Sequence, residues 1–192
     1  MNFLFDIGNV LLLLDFPSFE KRIFGGPVPE ELWSCKDPYE TGKISNEEFV
    51  KQGLHHAPAG TTEEEFVAAW NGIFSPNLPM WDLVKKLKAE GHTLILFSNT
   101  NALHAEVFLR DYEIMKHFDH HHFSQEVGAI KPDPEFYQTA ITQYKLTPSE
   151  TLYFDDLPEN IATGEALGFQ CHQYDFKQHQ VALNWLEGYT NL

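Results

Sequence analysis

Basic residues are scarce. The 192-residue chain carries 13 Lys and Arg against 28 Asp and Glu, a formal charge of −15. A nucleic-acid-binding face neutralises phosphates with Lys and Arg, and the same charges draw a protein to anionic lipid. The balance therefore speaks against both partners. A phosphorylated small molecule stays compatible, because one lysine and one metal ion reverse the field inside a cleft. Cysteine is almost missing too. Cys35 and Cys171 lie far apart and no CxxC is present, so neither a zinc ribbon nor a dithiol motif is available, and the pair reads as reduced, buried thiols of a cytoplasmic protein. No apolar run reaches the ~18 residues of a membrane span. Met1 to Leu14 is apolar, but it lacks a basic start and is interrupted at Asp6, so it does not read as a signal peptide.

What is present suffices for a core: 43% hydrophobic and 14% aromatic residues, in a length that suits one domain or a core with a smaller insertion. Asn2 to Phe5 reads as a buried strand that stops at Asp6, with a turn at Gly8-Asn9 and a second apolar stretch to Leu14. Residues 15–79 are punctuated by Pro17, Gly25-Gly26-Pro27 and Pro58-Ala59-Gly60, and carry two capping-box signals, Ser45 with Glu48 and Thr62 with Glu65. Nothing there alternates like a strand, so the stretch is expected to be a small helical module. From about Met80, helices and strands alternate. Helices are expected at 81–89, 102–109, 134–144, 158–167 and 181–186, and strands at 93–97, 118–123, 151–154 and 169–174. That order implies an α/β protein with a parallel sheet.

In an open parallel sheet the ligand sits beyond the carboxyl ends of the strands. Three apolar strands here end in polar residues: Asp6, then Ser98-Asn99-Thr100, then Asp155-Asp156. Clustered carboxylates repel one another unless a cation lies between them, so Asp6, Asp155 and Asp156 are candidate ligands for Mg2+. Asp6 is also a candidate nucleophile at phosphorus. Ser98 and the backbone N–H groups after it can hold phosphate oxygens, and Lys131 can neutralise the remaining charge.

Asp6-Ile7-Gly8-Asn9-Val10, Ser98-Asn99-Thr100-Asn101, Lys131-Pro132 and Asp155-Asp156-Leu157-Pro158-Glu159-Asn160 together resemble the four motifs of the haloacid dehalogenase-like (HAD) hydrolase superfamily, and the wording is closest to its bacterial sugar-phosphate phosphatases. Each motif alone is weak; the ordered set spans nearly the whole chain. The resemblance implies a Rossmann-like parallel-sheet core from 1–14 and 80–192, with residues 15–79 as an inserted α-helical cap, where Tyr39-Glu40-Thr41-Gly42-Lys43-Ile44-Ser45 is similar to a cap segment of that group. It implies Asp6 as nucleophile and metal ligand, the Gly8 carbonyl, Asp155 and Asp156 as further Mg2+ ligands, and Ser98, Asn99 and Lys131 holding the phosphoryl group, with Lys131 also stabilising its transfer. The expected function is a Mg2+-dependent phosphatase acting on a small phosphorylated metabolite, a sugar phosphate in particular. A haloacid dehalogenase and a non-catalytic or weakly catalytic phospho-ligand-binding protein are the alternatives.

One departure stands out. Most phosphatases of the superfamily carry a second Asp two residues after the nucleophile, which protonates the leaving group; here that position is Gly8. Proton transfer of this kind contributes roughly 10²–10⁴-fold. Either another acid serves, from the cap for instance, or the substrates have leaving groups that need less protonation. The second option fits the sugar-phosphate phosphatases that share the glycine.

Plainer roles compete for several residues. Ser98 could simply cap a helix, and Asp155-Asp156 could be helix N-terminal acids. Asn160 reads as a helper that orients loop carboxylates. His120-His121-His122 suggests a metal cluster, yet on a strand only His120 and His122 share a face. His104 follows the second motif closely enough to reach the crevice. Phe49, Phe66, Trp70 and Phe74 read as cap core, whereas Tyr39, Glu40 and Lys43 are expected in an inter-helix loop that touches substrate.

Overall fold

The structure is a computed structural model and describes residues 1–190. The strands are β1 (Asn2–Phe5), β2 (Leu12–Leu14), β3 (Phe74–Pro76), β4 (Thr93–Ser98), β5 (His120–Phe123), β6 (Thr151–Asp155) and β7 (Gln170–Gln173). Between β2 and β3 lie helices α1 (Phe16–Ile23), α2 (Glu30–Trp33), α3 (Lys36–Glu40), α4 (Asn46–His56) and α5 (Glu63–Asn71). After β3 come α6 (Leu78–Ala89), α7 (Ala102–Asp111), α8 (Ser124–Val127), α9 (Pro134–Tyr144), α10 (Pro158–Ala166) and α11 (His179–Leu186). Among the described residues no helix is long and apolar enough to cross a membrane.

Five strands form one sheet in the order β5-β4-β1-β6-β7, every neighbouring pair parallel. This is the α/β architecture that the strand–helix alternation predicts. The central strands are apolar throughout because helices cover both faces. Phe3, Phe5, Leu94, Leu96, Leu152 and Phe154 point to one side, against α6, α7 and α11. Leu4, Ile95, Phe97 and Tyr153 point to the other, against α9 and α10.

Helices α1–α5 enclose a core of their own, built on Phe19, Tyr39, Phe49, Phe66 and Trp70. Both capping boxes form, Ser45 with Glu48 and Thr62 with Glu65. The expectation of a strand-free stretch over 15–79 is corrected at its end: Phe74–Pro76 pairs antiparallel with Leu12–Leu14. Leu12–Leu14 lies outside the main sheet and needs a partner for its backbone polar groups. The chain returning from α5 provides one, and Asp15 N–H donates to the Ile73 carbonyl at 2.8 Å. The two chain crossings into and out of the helical segment are therefore tied side by side. Helix α6 starts at Leu78, three residues earlier than the apolar pattern suggests, with Pro79 in its first turn.

Candidate active site

Strands β4, β1 and β6 are adjacent, so the three polar strand ends meet. Asp6 follows β1, Ser98 ends β4 and Asp155 ends β6. Asp6, Gly8, Ser98, Asn99, Lys131 and Asp156 line one cavity of about 370 Å³. Carboxylate oxygens of Asp6, Asp155 and Asp156 come within 4.8 Å of one another.

Lys131 lies among them in the loop before α9, fully buried. Its three ammonium hydrogens have three acceptors: Asp6 Oδ1 at 2.9 Å, Asp155 Oδ2 at 2.6 Å and the Phe97 carbonyl at 2.9 Å. Burial works against its charge, but Asp155 and Asp6 outweigh burial and hold its pKa above the ordinary lysine value. Asp6 responds in the opposite sense. Burial, reinforced by Asp155 and Asp156 and opposed by Lys131, pushes its carboxyl up to about 7. Burial raises Asp156 as well. Three acidic groups confined with one lysine thus lack positive charge, the electrostatic signature of a cation site. Hard carboxylate oxygens are the donor set that Mg2+ takes.

The three carboxylates are not equivalent. Asp155 Oδ1 accepts from Leu157 N–H and Asn160 Nδ2, each at 2.9 Å, and its Oδ2 accepts from Lys131 and the Tyr153 hydroxyl. Asp155 therefore fixes the Lys131 ammonium and the start of α10, and Asn160 orients it as its position suggests. Asp156 instead faces the cavity, with Oδ2 accepting from Asn9 Nδ2 at 3.0 Å. Asn9, a turn residue in the sequence, acquires a role here. It has φ +52°, a conformation that Asn tolerates better than most residues, and in that turn it reaches both Asp156 and Leu14 N–H.

Asn99 uses its side chain differently from the phosphoryl contact expected of it. Its amide donates to the Lys131 carbonyl at 2.9 Å and accepts from Lys131 N–H at 2.8 Å, clamping the lysine loop to the end of β4. The Ser124 hydroxyl steadies the same turn by bonding both backbone groups of Thr100. Ser98 is buried on the cavity wall and caps no helix, because Asn101 caps α7. Nor do Asp155 and Asp156 cap α10, whose N-cap is Leu157.

Of the remaining candidates, His104 does reach the cavity. Its Nε2 donates to the Trp70 carbonyl at 3.0 Å, its Nδ1 accepts from Asn101 Nδ2 at 3.1 Å, and its ring stacks on Trp70. Burial pushes its pKa down to about 3, so it is a neutral bracket between α5 and α7. The histidine run forms no metal cluster: among the described residues the one grouping with metal-binding geometry is Asp6, Asp155 and Asp156. His122 is buried and bonds the Phe136 carbonyl, while His120 is exposed and stacks on Tyr144. Tyr39 and Glu40 lie on α3 rather than in a loop. Tyr39 stacks on Phe49 inside the helical core and Lys43 is exposed, so neither reaches the cavity; Glu40 does. Lys36, which no motif singles out, lines the cavity beside it.

Gly8 explains its own side chain's absence. A Cβ there would lie 3.0 Å from Leu14 Cδ1 and 3.7 Å from Asp6 Oδ2. A side chain at position 8 would have to move the end of the half-buried Leu14 side chain.

A parallel sheet of this order, with an aspartate after the first strand facing a lysine and an aspartate pair, defines a class. The haloacid dehalogenase-like hydrolase family model matches residues 2–168, and the chain belongs to that family. Among its relatives is a D-ribitol-5-phosphate phosphatase of Bacteroides thetaiotaomicron, 34% identical over 70% of this chain and 68% of that protein. Another is a sesquiterpene phosphatase of Aspergillus oryzae, 26% identical over 86% and 85%. A HAD family enzyme of Bacteroides thetaiotaomicron, solved with magnesium and inorganic phosphate, superposes with a TM-score of 0.78 at 26% identity, covering 89% of this chain and 92% of its own.

Proposed function

We propose that this chain is a Mg2+-dependent phosphatase that hydrolyses a small phosphomonoester, a sugar or polyol phosphate, through a phosphoryl group carried on Asp6. The observation that carries the reading is the placement of Asp6. One carboxylate oxygen is held by Lys131, and the carboxyl opens on the cavity beside Asp156 and Ser98. The relatives support it, since one acts on ribitol 5-phosphate by name and another was solved with magnesium and phosphate.

Mg2+, held by Asp6, Asp156 and the Gly8 carbonyl with the Asp155 carboxylate behind them, would supply positive charge for the phosphoryl oxygens and let the clustered carboxylates ionise together. The chain does the rest. Asp6 attacks phosphorus, and its carboxylate is aimed by Lys131. Lys131 also offsets negative charge on the transferring group, at no cost in reorientation because its position is fixed. Ser98 and the N–H groups of the following turn bind phosphoryl oxygens. Water then takes the phosphoryl group from Asp6 and frees the carboxylate. The helical segment 15–79 acts as the cap that closes the cavity on substrate and excludes bulk water.

Beyond the phosphoryl end the cavity has an apolar wall of Leu14, Phe16, Ile73, Phe74 and Phe108, and one polar corner, Lys36 with Glu40. Such a wall suits the apolar face of a polyol or sugar. It also accommodates a hydrocarbon alcohol, as in the sesquiterpene phosphatase relative. Phosphate release from a panel of sugar, polyol and isoprenoid phosphates, with Mg2+ and with chelator, tests the reading. The expected result is metal-dependent turnover that vanishes in Asp6→Asn. Turnover that survives Asp6→Asn, or no turnover of any ester by the wild type, overturns it.

A further inference from the structure

An alkyl or sugar phosphate releases an alkoxide, which is a poor leaving group unless it receives a proton as the P–O bond breaks. Position 8 is glycine and supplies none. The titratable side chains that line the cavity are Asp6, Lys36, Glu40, His104, Lys131 and Asp156. Asp6 and Asp156 belong to the nucleophile and cation cluster. Lys131 has all three hydrogens committed. Both ring nitrogens of His104 are engaged, and its one N–H is spent on the Trp70 carbonyl.

Lys36 is different. Among the described residues its single acceptor is Glu40 Oε2, at 2.5 Å. Two ammonium hydrogens therefore have no acceptor among those residues, on a side chain that lines the cavity. The Glu40 side chain is only 9% exposed and the Lys36 side chain 32%, so the carboxylate is walled in while the ammonium stays accessible. Lys36 acts electrostatically on His104, and Lys131 on Glu40, so the pair sits within the field of the site. Its helix α3 is docked rather than free. Gly42, just beyond it, has φ +69° and approaches α8 so closely that a Cβ would lie 2.6 Å from the Gln125 carbonyl.

We propose that Lys36, held by Glu40, is the proton donor to the leaving group, a catalytic residue contributed by the helical segment. The proposal rests on the phosphatase reading. Asp6 lies on the floor formed by the strand ends. A leaving group in line with its attack extends away from that floor, toward the helical segment. Of the residues this segment contributes to the wall, Phe16, Pro17, Lys36, Glu40, Ile73 and Phe74, only Lys36 and Glu40 handle protons. In the first step the Asp6–phosphorus bond forms, the bond from phosphorus to the ester oxygen breaks, and a proton passes from the Lys36 ammonium to that oxygen, giving the neutral alcohol and a neutral amine. In the second, water enters the vacated in-line position. Its oxygen bonds to phosphorus, the Asp6–phosphorus bond breaks, and its proton returns to Lys36. Glu40 is a positioning residue: it orients the ammonium and stabilises its charge between turnovers.

The test is a series of aryl phosphates of similar size, from 4-nitrophenyl to phenyl, the latter with a phenol of pKa about 10 like a tyrosine side chain. The kcat/KM for each, which reports on transfer to Asp6 and not on the hydrolysis step that all the esters share, is measured with wild type, Lys36→Met, Lys36→Arg and Glu40→Gln. Lys36→Met is expected to lose far less on the 4-nitrophenyl ester than on the phenyl ester, where the loss approaches roughly 10²-fold. Lys36→Arg keeps the charge and the bond to Glu40, but arginine does not release its proton, so it is expected to follow Lys36→Met. Glu40→Gln is expected to lose in the same sense by less. An equal factor across the series, as a purely structural or substrate-gripping role would give, overturns the proposal, and so does Lys36→Arg with wild-type rates on the phenyl ester. Intact turnover in every variant overturns it while leaving the phosphatase reading standing. A wild type that turns over none of the esters overturns both.

Discussion

Replacing Asp6 by Asn should stabilise the metal-free protein while abolishing turnover, and the size of the gain follows from the site's charge. Asp6 titrates at 3.8 as an ordinary side chain and at about 7 here, chiefly through burial, with Asp155 and Asp156 adding to it. An acid whose folded pKa is raised holds its proton in the native state after the unfolded chain has lost it. Stability therefore falls as pH climbs from 3.8 to about 7, and the penalty is complete above that. At 1.36 kcal/mol per unit the full penalty is about 4 kcal/mol; relaxation and water reaching the cavity-facing oxygen reduce it, leaving roughly 1–4 kcal/mol. Asn carries no charge to penalise and still accepts from Lys131, which keeps Asp155 as its ion-pair partner. The assay is urea unfolding in chelator at pH 8 and at pH 5. Asp6→Asn is expected to gain most at pH 8 and clearly less at pH 5, and saturating Mg2+ should shrink the difference by stabilising the wild type selectively. A variant less stable than wild type at pH 8 in chelator, or an advantage independent of pH, refutes the reasoning. The result would be a case of an active site whose chemistry opposes its stability.

Three further outcomes follow from particular contacts. Gly8→Asp should cost about 1–3 kcal/mol through its clash with Leu14, and adding Leu14→Ala should recover part of that; a Gly8→Asp protein as stable as wild type in urea would show that Leu14 yields freely. His104 keeps a folded pKa of about 3 against 6.5 for the ordinary side chain, so its stabilising effect is whole above pH 6.5 and declines below it, by about 2 kcal/mol at pH 5. His104→Phe should be the less stable protein at pH 8, because it strands the Trp70 carbonyl and the Asn101 amide, yet its own decline from pH 8 to pH 5 should be shallower; parallel declines in denaturation curves would contradict this. Asn99→Ala removes the clamp on the Lys131 backbone and should lower kcat more than it raises KM, because it loosens the lysine without touching the apolar wall; a pure KM effect would assign Asn99 to substrate binding instead.

Much of this arrangement is legible in the sequence because the signals are local. Asn2–Phe5, Thr93–Ser98 and Thr151–Asp155 are apolar runs closed by a polar residue, so Asp6, Ser98 and Asp155 were legible as strand ends, while the strand order that brings them together comes from the structure. The capping boxes at Ser45 and Thr62 mark α4 and α5 for the same reason. What escapes is set by distant partners. Strand β3 is three residues long, contains Pro76, and exists because Leu12–Leu14 lacks a neighbour; no periodicity in 74–76 announces that. Lys36 carries no motif, and Glu40, expected at the substrate from a loop, lines the cavity from a helix because the docking of α3 buries it there. Asn99 has the right chemistry for a phosphoryl group and for a backbone clamp, and residue type alone does not choose between them. Tyr39 beside Glu40 shows how one helical step separates a core ring from a cavity-lining acid.

The central claim is that Asp6 carries the phosphoryl group during turnover. The most direct measurement is a rapid acid quench of the Mg2+-loaded wild type with a substrate labelled in its phosphoryl group, followed by borohydride reduction and peptide mapping. The expected result is transient label on the chain, and reduction of the acyl phosphate confined to position 6, with neither seen in Asp6→Asn. Turnover at full rate with no label on the chain at any quench time, or label that maps to another residue, would contradict it.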